Sequence, residues 1–263
     1  MTHSDRGQLR SLLGEIPSLT PSAYANLLRC RRLFWQRNLL RLPESDGRSS
    51  PDRGLLVHAM LKAIHDQGSC ADAAHVTEVL AAHGADDEHT RAMIERHAVR
   101  CPRQVDRSAH EVELARFYRS PPVMFMAHAR IDAVWVHDGI VDARDYKTGR
   151  RHYDRVSDDP AARVQAFVLA RHVERVGATR LRIRYEHLAP EIDDDPEPFD
   201  ADPDDLAAIA DELAAAVRTL WEGDAEFAGV NDPHVCGSCP YRSICRDSAA
   251  AAEPIWAALS FDQ

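Results

Sequence analysis

Asp132, Asp145 and Lys147 are the residues whose types and spacing point most directly to chemistry. They sit on two alternating, β-branched runs, Ile131 to Val136 and Ile140 to Tyr146, on either side of Asp138-Gly139. Asp and Gly accept the positive φ of a two-residue turn, so the runs are expected to pair as a hairpin. Counting back from the turn pairs Val136 with Val141 and Val134 with Ala143, and sets Asp132 opposite Asp145 and Arg130 opposite Lys147. The period of two then puts both aspartates on the face of Val134, Val136, Val141 and Ala143, with Lys147 projecting from it. Like charges directly opposed across strands destabilise a sheet, so two carboxylates on an apolar face require a cation. Oxygen ligands beside an ammonium suit Mg²⁺ or Mn²⁺, which keep positions open for water and phosphate. Such a cluster is equipped to hydrolyse a phosphodiester. The ion acidifies a water and offsets developing charge, while the lysine orients the nucleophile.

The surrounding elements follow from pattern. Thr20 as N-cap and Pro21 at the first helical position start one helix or two, reaching Leu42 and carrying Cys30, Phe34 and Trp35. Arg29, Arg31, Arg32, Arg37 and Arg41 on this stretch read either as a solvated face or as a track for a phosphate backbone. After a polar loop to Arg53, Gly54 to His65 has apolar residues at helical spacing and reads as a buried helix. Residues 71–103 continue as helices broken at Gly84, with Cys70 and Cys101 expected to pack as small apolar residues. His110 to Tyr118 alternates as a strand and puts Glu111 and Glu113 on one face, where a third carboxylate would complete a metal site. Beyond the hairpin, Arg150 and Arg151 lie in a polar connector, well placed for phosphate contact. Residues 161–177 read as a helix, and Thr179 to Leu188 as a strand with Leu181, Ile183 and Tyr185 inward. With Leu206 to Trp221 as a covering helix, the pattern is α/β: a mixed sheet with helices on both sides.

The chain of 263 residues can bury one large core, or one core with a helical annex. A net charge of −10 excludes polyanion binding by bulk charge, so nucleic-acid contact must use local basic patches. No apolar run reaches membrane-spanning length and Met1 to Gln8 lacks a signal-peptide core, so a cytoplasmic protein is expected. In a reducing compartment, cysteines ligate metals more readily than they form disulfides. Cys236, Cys239 and Cys245 crowd one short stretch, and three thiols need a fourth ligand to close a tetrahedral site. Cys30 is the candidate, and zinc is the default ion for an isolated Cys-x-x-Cys. There is no Gly-x-x-x-x-Gly-Lys-Ser/Thr, so any helicase motor must come from a partner.

Ile131-Asp132 followed by Asp145-Tyr146-Lys147-Thr148-Gly149 resembles the active-site hairpin of the PD-(D/E)XK nucleases, in their RecB-like exonuclease branch. The resemblance runs from about Ser18 to Asp247, with motifs in family order: Cys30, His58, Glu113, Asp132, Asp145-x-Lys147, Gln165 and the late cysteines. It implies a restriction-endonuclease-like mixed β-sheet core over residues 54–190. An N-terminal helical segment (1–53) and a C-terminal segment (191–263) would join it in one compact unit through a cysteine-ligated cluster. It further implies that His58, in a Gly-x-x-x-His pattern, reaches the metal, and that Glu113 is the third carboxylate, with Glu111 as the alternative. Gln165 matches the glutamine of a Gln-x-x-x-Tyr motif in which Leu169 replaces the tyrosine, and Ala129 stands where the family usually has glycine. Cys30 with Cys236, Cys239 and Cys245 is similar to the iron–sulfur staple of AddB-type helicase–nuclease subunits and CRISPR-associated RecB-like exonucleases. That likeness implies a 4Fe–4S cluster, with zinc as the alternative. The activity implied is a Mg²⁺- or Mn²⁺-dependent DNA exonuclease acting on single-stranded or frayed ends, in repair, recombination or CRISPR-type processing. A helicase or CRISPR-adaptation protein would be its partner. The rival expectation is a non-catalytic nucleic-acid- or protein-binding subunit, against which the intact Asp132, Asp145 and Lys147 speak.

Overall fold

The computed structural model describes residues 17–44, 52–67, 69–85, 87–102, 107–149, 153–221 and 229–245. In chain order they form β1 (Ser18–Leu19), α1 (Pro21–Arg29), α2 (Arg31–Phe34) running into a π-turn (Trp35–Leu39), α3 (Asp52–Gln67), α4 (Ala73–Ala82) and α5 (Glu88–Arg100). There follow β2 (Arg107–Ser120), β3 (Val123–His137), β4 (Ile140–Lys147), α6 (Pro160–Val176), β5 (Arg180–His187), β6 (Phe199–Ala201), α7 (Pro203–Trp221) and α8 (Pro233–Gly237). Local chemistry sets many of the boundaries. Thr20 Oγ1 accepts the Ala23 N–H at 3.1 Å with Pro21 in the first turn of α1, and Asp72, Asp87 and Asp159 cap α4, α5 and α6 in the same way. Asp138 (φ 50°) and Gly139 (φ 70°) are both left-handed, as a type I′ hairpin turn between β3 and β4 requires.

The strands form a mixed sheet in the order β1-β3-β4-β5-β6, with β2 also paired to β3. The chain divides into two compact units. One holds the described residues within Met1–Arg48, Phe117–Met126 and Glu212–Gln263. In it Ala23, Leu27 and Phe34 pack with Leu220, and Cys30 and Leu33 pack with Tyr241. Tyr241 Oη donates to Leu42 O at 2.8 Å, and Tyr24 Oη donates to Glu212 Oε1 at 2.6 Å, so residues from both ends of the sequence share this core.

The other unit holds the described residues within Ser49–Arg116 and Ala127–Asp211. Here β3 and β4 are antiparallel, β4 and β5 parallel, and β5 and β6 antiparallel. Helix α6 makes the crossover that a parallel β4–β5 pair needs. Val57, Met60, Leu61 and Ile64 of α3, with apolar residues of α4 and α5, cluster with Ala133, Trp135 and Tyr146 of the hairpin. Each such buried side chain contributes about 1.5–3 kcal/mol of transfer free energy. The alternate residues, among them Asp145 and Tyr185, meet α6 through Gln165 and Asp159. Helices therefore flank the sheet on both faces, the mixed α/β architecture expected from the pattern. Among the described residues no helix is long and apolar enough to cross a membrane.

Candidate active site

The β3–β4 ladder runs from His137↔Ile140 to Ala133↔Arg144 in the register counted from the turn. One step further Asp132 takes over from the backbone: its Oδ2 accepts the Tyr146 N–H at 2.7 Å. The side chain thus closes the ladder where the candidate site residues of the hairpin begin. Asp132 is buried, at 7% exposure.

Helix α3 brings His58 to the same point. Its Nε2 lies 3.0 Å from Tyr146 O. A carbonyl only accepts, so Nε2 carries the proton and the neutral ring presents the Nδ1 lone pair on its other side. Nδ1 is buried with no hydrogen-bond partner, yet it faces Asp132 Oδ1 at 3.2 Å and Glu111 Oε1 at 3.4 Å. Burial pulls the His58 pKa down, but the nearby Asp132 carboxylate, and then Glu111, outweigh it, and the pKa is raised: the two carboxylates favour a positive charge at Nδ1. One nitrogen and two carboxylates, with ligand atoms all within 4.8 Å of one another, form a donor set suited to a hard divalent cation.

The third member of that set comes from β2. Glu113 is exposed on β2, and Glu111, the alternative, meets His58. Glu111 has φ 51°, a left-handed backbone within a strand. That local break interrupts the alternation of two, so Glu111 and Glu113 cannot be treated as equivalent positions on one face. Burial follows the break: positions 110–112 are all partly buried, and strict alternation resumes only from Glu113. Glu111 Oε2 is held by Arg130 Nε at 3.1 Å, an electrostatic partner that strand periodicity does not reveal.

Asp145 and Lys147 lie at the end of β4, on either side of Tyr146. Lys147 Nζ is 2.7 Å from Asp145 Oδ1, and Gln165 Nε2 of α6 donates to Asp145 Oδ2 at 2.9 Å. The ammonium also sits 4.1 Å from the centroid of the Tyr185 ring, a cation–π contact. Tyr185 Oη in turn donates to Asp159 Oδ2 at 2.8 Å. Asp145 stands outside the three-residue group around His58. The structure therefore forms two adjoining clusters on one hairpin: His58, Glu111 and Asp132, and then Asp145, Lys147 and Gln165. Nothing in the sequence pattern pointed to Tyr185 as a support for the lysine. Arg150 and Arg151 lie outside the described residues.

In the other unit, Cys30, Cys236, Cys239 and Cys245 line a single cavity together with Leu33, Val230 and Val235. Cys236 Sγ donates to Val230 O at 3.2 Å. Cysteines more than two hundred positions apart in the chain share this wall.

Residues 18–246 match the PD-(D/E)XK nuclease superfamily. The match spans most of the chain, and the chain belongs to that superfamily, with the mixed α/β fold described above. Among solved structures, one called SSO0001 is similar at 13% identity and a TM-score of 0.40, over 93% of each chain. A candidate exonuclease from Eubacterium rectale is similar at 12% identity and a TM-score of 0.44, covering 86% of this chain and 88% of that one. None of the curated proteins matches significantly. The family assignment rests on the match across residues 18–246.

Proposed function

We propose that this chain is a Mg²⁺- or Mn²⁺-dependent DNA exonuclease of the RecB-like branch, cytoplasmic, acting in DNA repair, recombination or CRISPR-type processing beside a helicase or CRISPR-adaptation partner. The observation that carries the reading is the buried His58 Nδ1 facing two carboxylates, with Asp145 and Lys147 close by on β4. His58, Glu111 and Asp132 would hold the ion, and Asp145 would add its carboxylate from β4. Bound there, the ion would supply an acidified water and offset the charge that develops on the phosphate.

The chain's own residues do the rest. The Tyr146 carbonyl fixes the His58 tautomer. Gln165 anchors one oxygen of Asp145, and the other oxygen and the Tyr185 ring hold the Lys147 ammonium. A lysine held on two sides is placed to orient a water for in-line attack and to meet the negative charge of the transition state. Arg150 and Arg151 would contact the strand's phosphates. In the cysteine cavity we assign a 4Fe–4S cluster to Cys30, Cys236, Cys239 and Cys245. The four thiols line one cavity, and a single zinc is the alternative occupant.

The test of activity is digestion of end-labelled single- and double-stranded DNA with Mn²⁺, comparing wild type with Asp145→Ala and Lys147→Ala. Loss of digestion in both variants is expected, and equal digestion by all three proteins refutes the nuclease reading. For the cluster, anaerobically purified protein should be brown and contain iron that Cys239→Ser loses. Iron-free wild type overturns that part.

A further inference from the structure

A second group of ligating atoms lies on the α3–α5 side of the sheet, away from the hairpin carboxylates. His65, Cys70, His97 and Cys101 have ligand atoms all within 4.8 Å of one another. His65 Nε2 is 3.1 Å from Cys70 Sγ, 3.4 Å from Cys101 Sγ and 3.2 Å from His97 Nε2. His97 is fully buried and Cys70 is 6% exposed, while His65 and Cys101 are half-buried.

The outer nitrogen of each histidine is already committed. His65 Nδ1 donates to Leu61 O at 2.7 Å, so in the neutral ring Nε2 is left as a lone pair. His97 Nδ1 lies 2.8 Å from Glu186 Oε1, and Glu186 Oε2 accepts from Arg144 Nη1 at 3.0 Å. A carboxylate also only accepts, so in the neutral ring His97 Nε2 likewise presents a lone pair. Two nitrogen lone pairs and two sulfurs thus converge in a buried space. One proton can bridge a single pair among them, whereas one divalent ion satisfies all four.

The donor set identifies the ion. Two thiolates and two imidazoles at tetrahedral reach suit zinc, and four protein ligands leave no open position, which marks a structural site. A carboxylate or backbone carbonyl on the far nitrogen is the usual support of a metal-bound histidine, and both are present here. The spacing agrees: His97 and Cys101 are four apart at the C-terminal turn of α5 and share one side of it. His65 lies in the last turn of α3, and Cys70 lies in the link to α4. We propose that His65, Cys70, His97 and Cys101 bind one structural zinc ion.

The ion would fasten α3, the link to α4, and α5 at one point. Helix α3 also carries His58, and the His97 ring lies 5.0 Å from that of Tyr146, the residue whose carbonyl holds His58.

The test uses the full chain purified without added metal, with zinc content and zinc-edge X-ray absorption measured on the same sample. A shell of two sulfurs and two nitrogens is expected on about one zinc per chain. Cys70→Ser/Cys101→Ser should lose that equivalent while the iron at the Cys30 set is unchanged. His65→Cys should keep the zinc with a third sulfur in its shell. An all-sulfur shell, wild-type zinc content in the double variant, or a Cys70–Cys101 disulfide with no zinc taken up after reduction overturns the assignment. The absorption spectrum of the wild type decides the matter even if a variant fails to fold.

Discussion

Replacing Asp132 by Asn and by Ala separates its part in the fold from its part in the chemistry. One oxygen accepts the buried Tyr146 N–H at 2.7 Å, and the other faces His58. Asn keeps an oxygen for the Tyr146 N–H, and the bond falls from a charge-assisted value of about 2 kcal/mol to about 1 kcal/mol. The same change removes a negative charge within 4.8 Å of Glu111. At an effective dielectric of 20 that repulsion is on the order of 3 kcal/mol, partly offset by His58. Metal-free Asp132→Asn should therefore match wild type in urea melts to within about 1 kcal/mol. Asp132→Ala shares that relief but strands a buried donor, and should be less stable than Asp132→Asn by about 1–3 kcal/mol. Activity should divide the variants differently, since both lose a carboxylate aimed at the ion, and each should fall by about 10²–10³ in Mn²⁺-dependent release of labelled nucleotides. Thermal melts with added Mn²⁺ complete the experiment: wild type should gain stability and both variants should not. Asp132→Asn with activity within tenfold of wild type refutes the catalytic argument, and equal stability of the two variants refutes the structural one.

Two other perturbations test the supports of the site. Asp159 caps α6 through the Ala161 N–H at 3.0 Å and accepts the Tyr185 hydroxyl at 2.8 Å. Asp159→Ala should cost about 2–3 kcal/mol in urea melts, the sum of a lost cap and a stranded buried hydroxyl, with Asp159→Asn losing less; an unchanged melting curve for the alanine variant contradicts this. On the sheet edge the Arg182 hydrogen bond, and then its charge, hold the Asp200 carboxyl below its usual range. A depressed folded pKa stabilises the protein above the unfolded value of about 4 and loses that contribution as pH falls through the folded value. The stability difference between wild type and Asp200→Asn should accordingly shrink as pH drops from about 5 toward 3, and a difference constant over that range counts against the pairing.

Much of the β3–β4 hairpin was legible in the sequence because its determinants are local. Asp138-Gly139 specifies the turn by backbone preference, and the turn fixes the register that brings Asp132 to the mouth of the ladder. The caps at Thr20 and the αL glycine Gly177 at the end of α6 depend only on neighbours within a few residues. His58 and Gln165 followed from family resemblance, and the structure brings each to an aspartate of the hairpin. The choice of Glu111 over Glu113 did not follow, because a left-handed residue inside a strand has no signature in residue type, and the alternation rule fails at that point.

The sequence by itself determined the hairpin, its acidic and basic residues, the order of helices and strands, and the spacing of the late cysteines. Each depends on backbone preferences and periodicities that act over one turn or one strand. Tertiary structure alone decided which glutamate meets His58, that Lys147 rests against Tyr185, and that Cys70 and Cys101 share a space with His65 and His97. Those pairings join residues on separate elements, and the packing of α3, α4 and α5 against the hairpin, which no local pattern encodes, sets their distances.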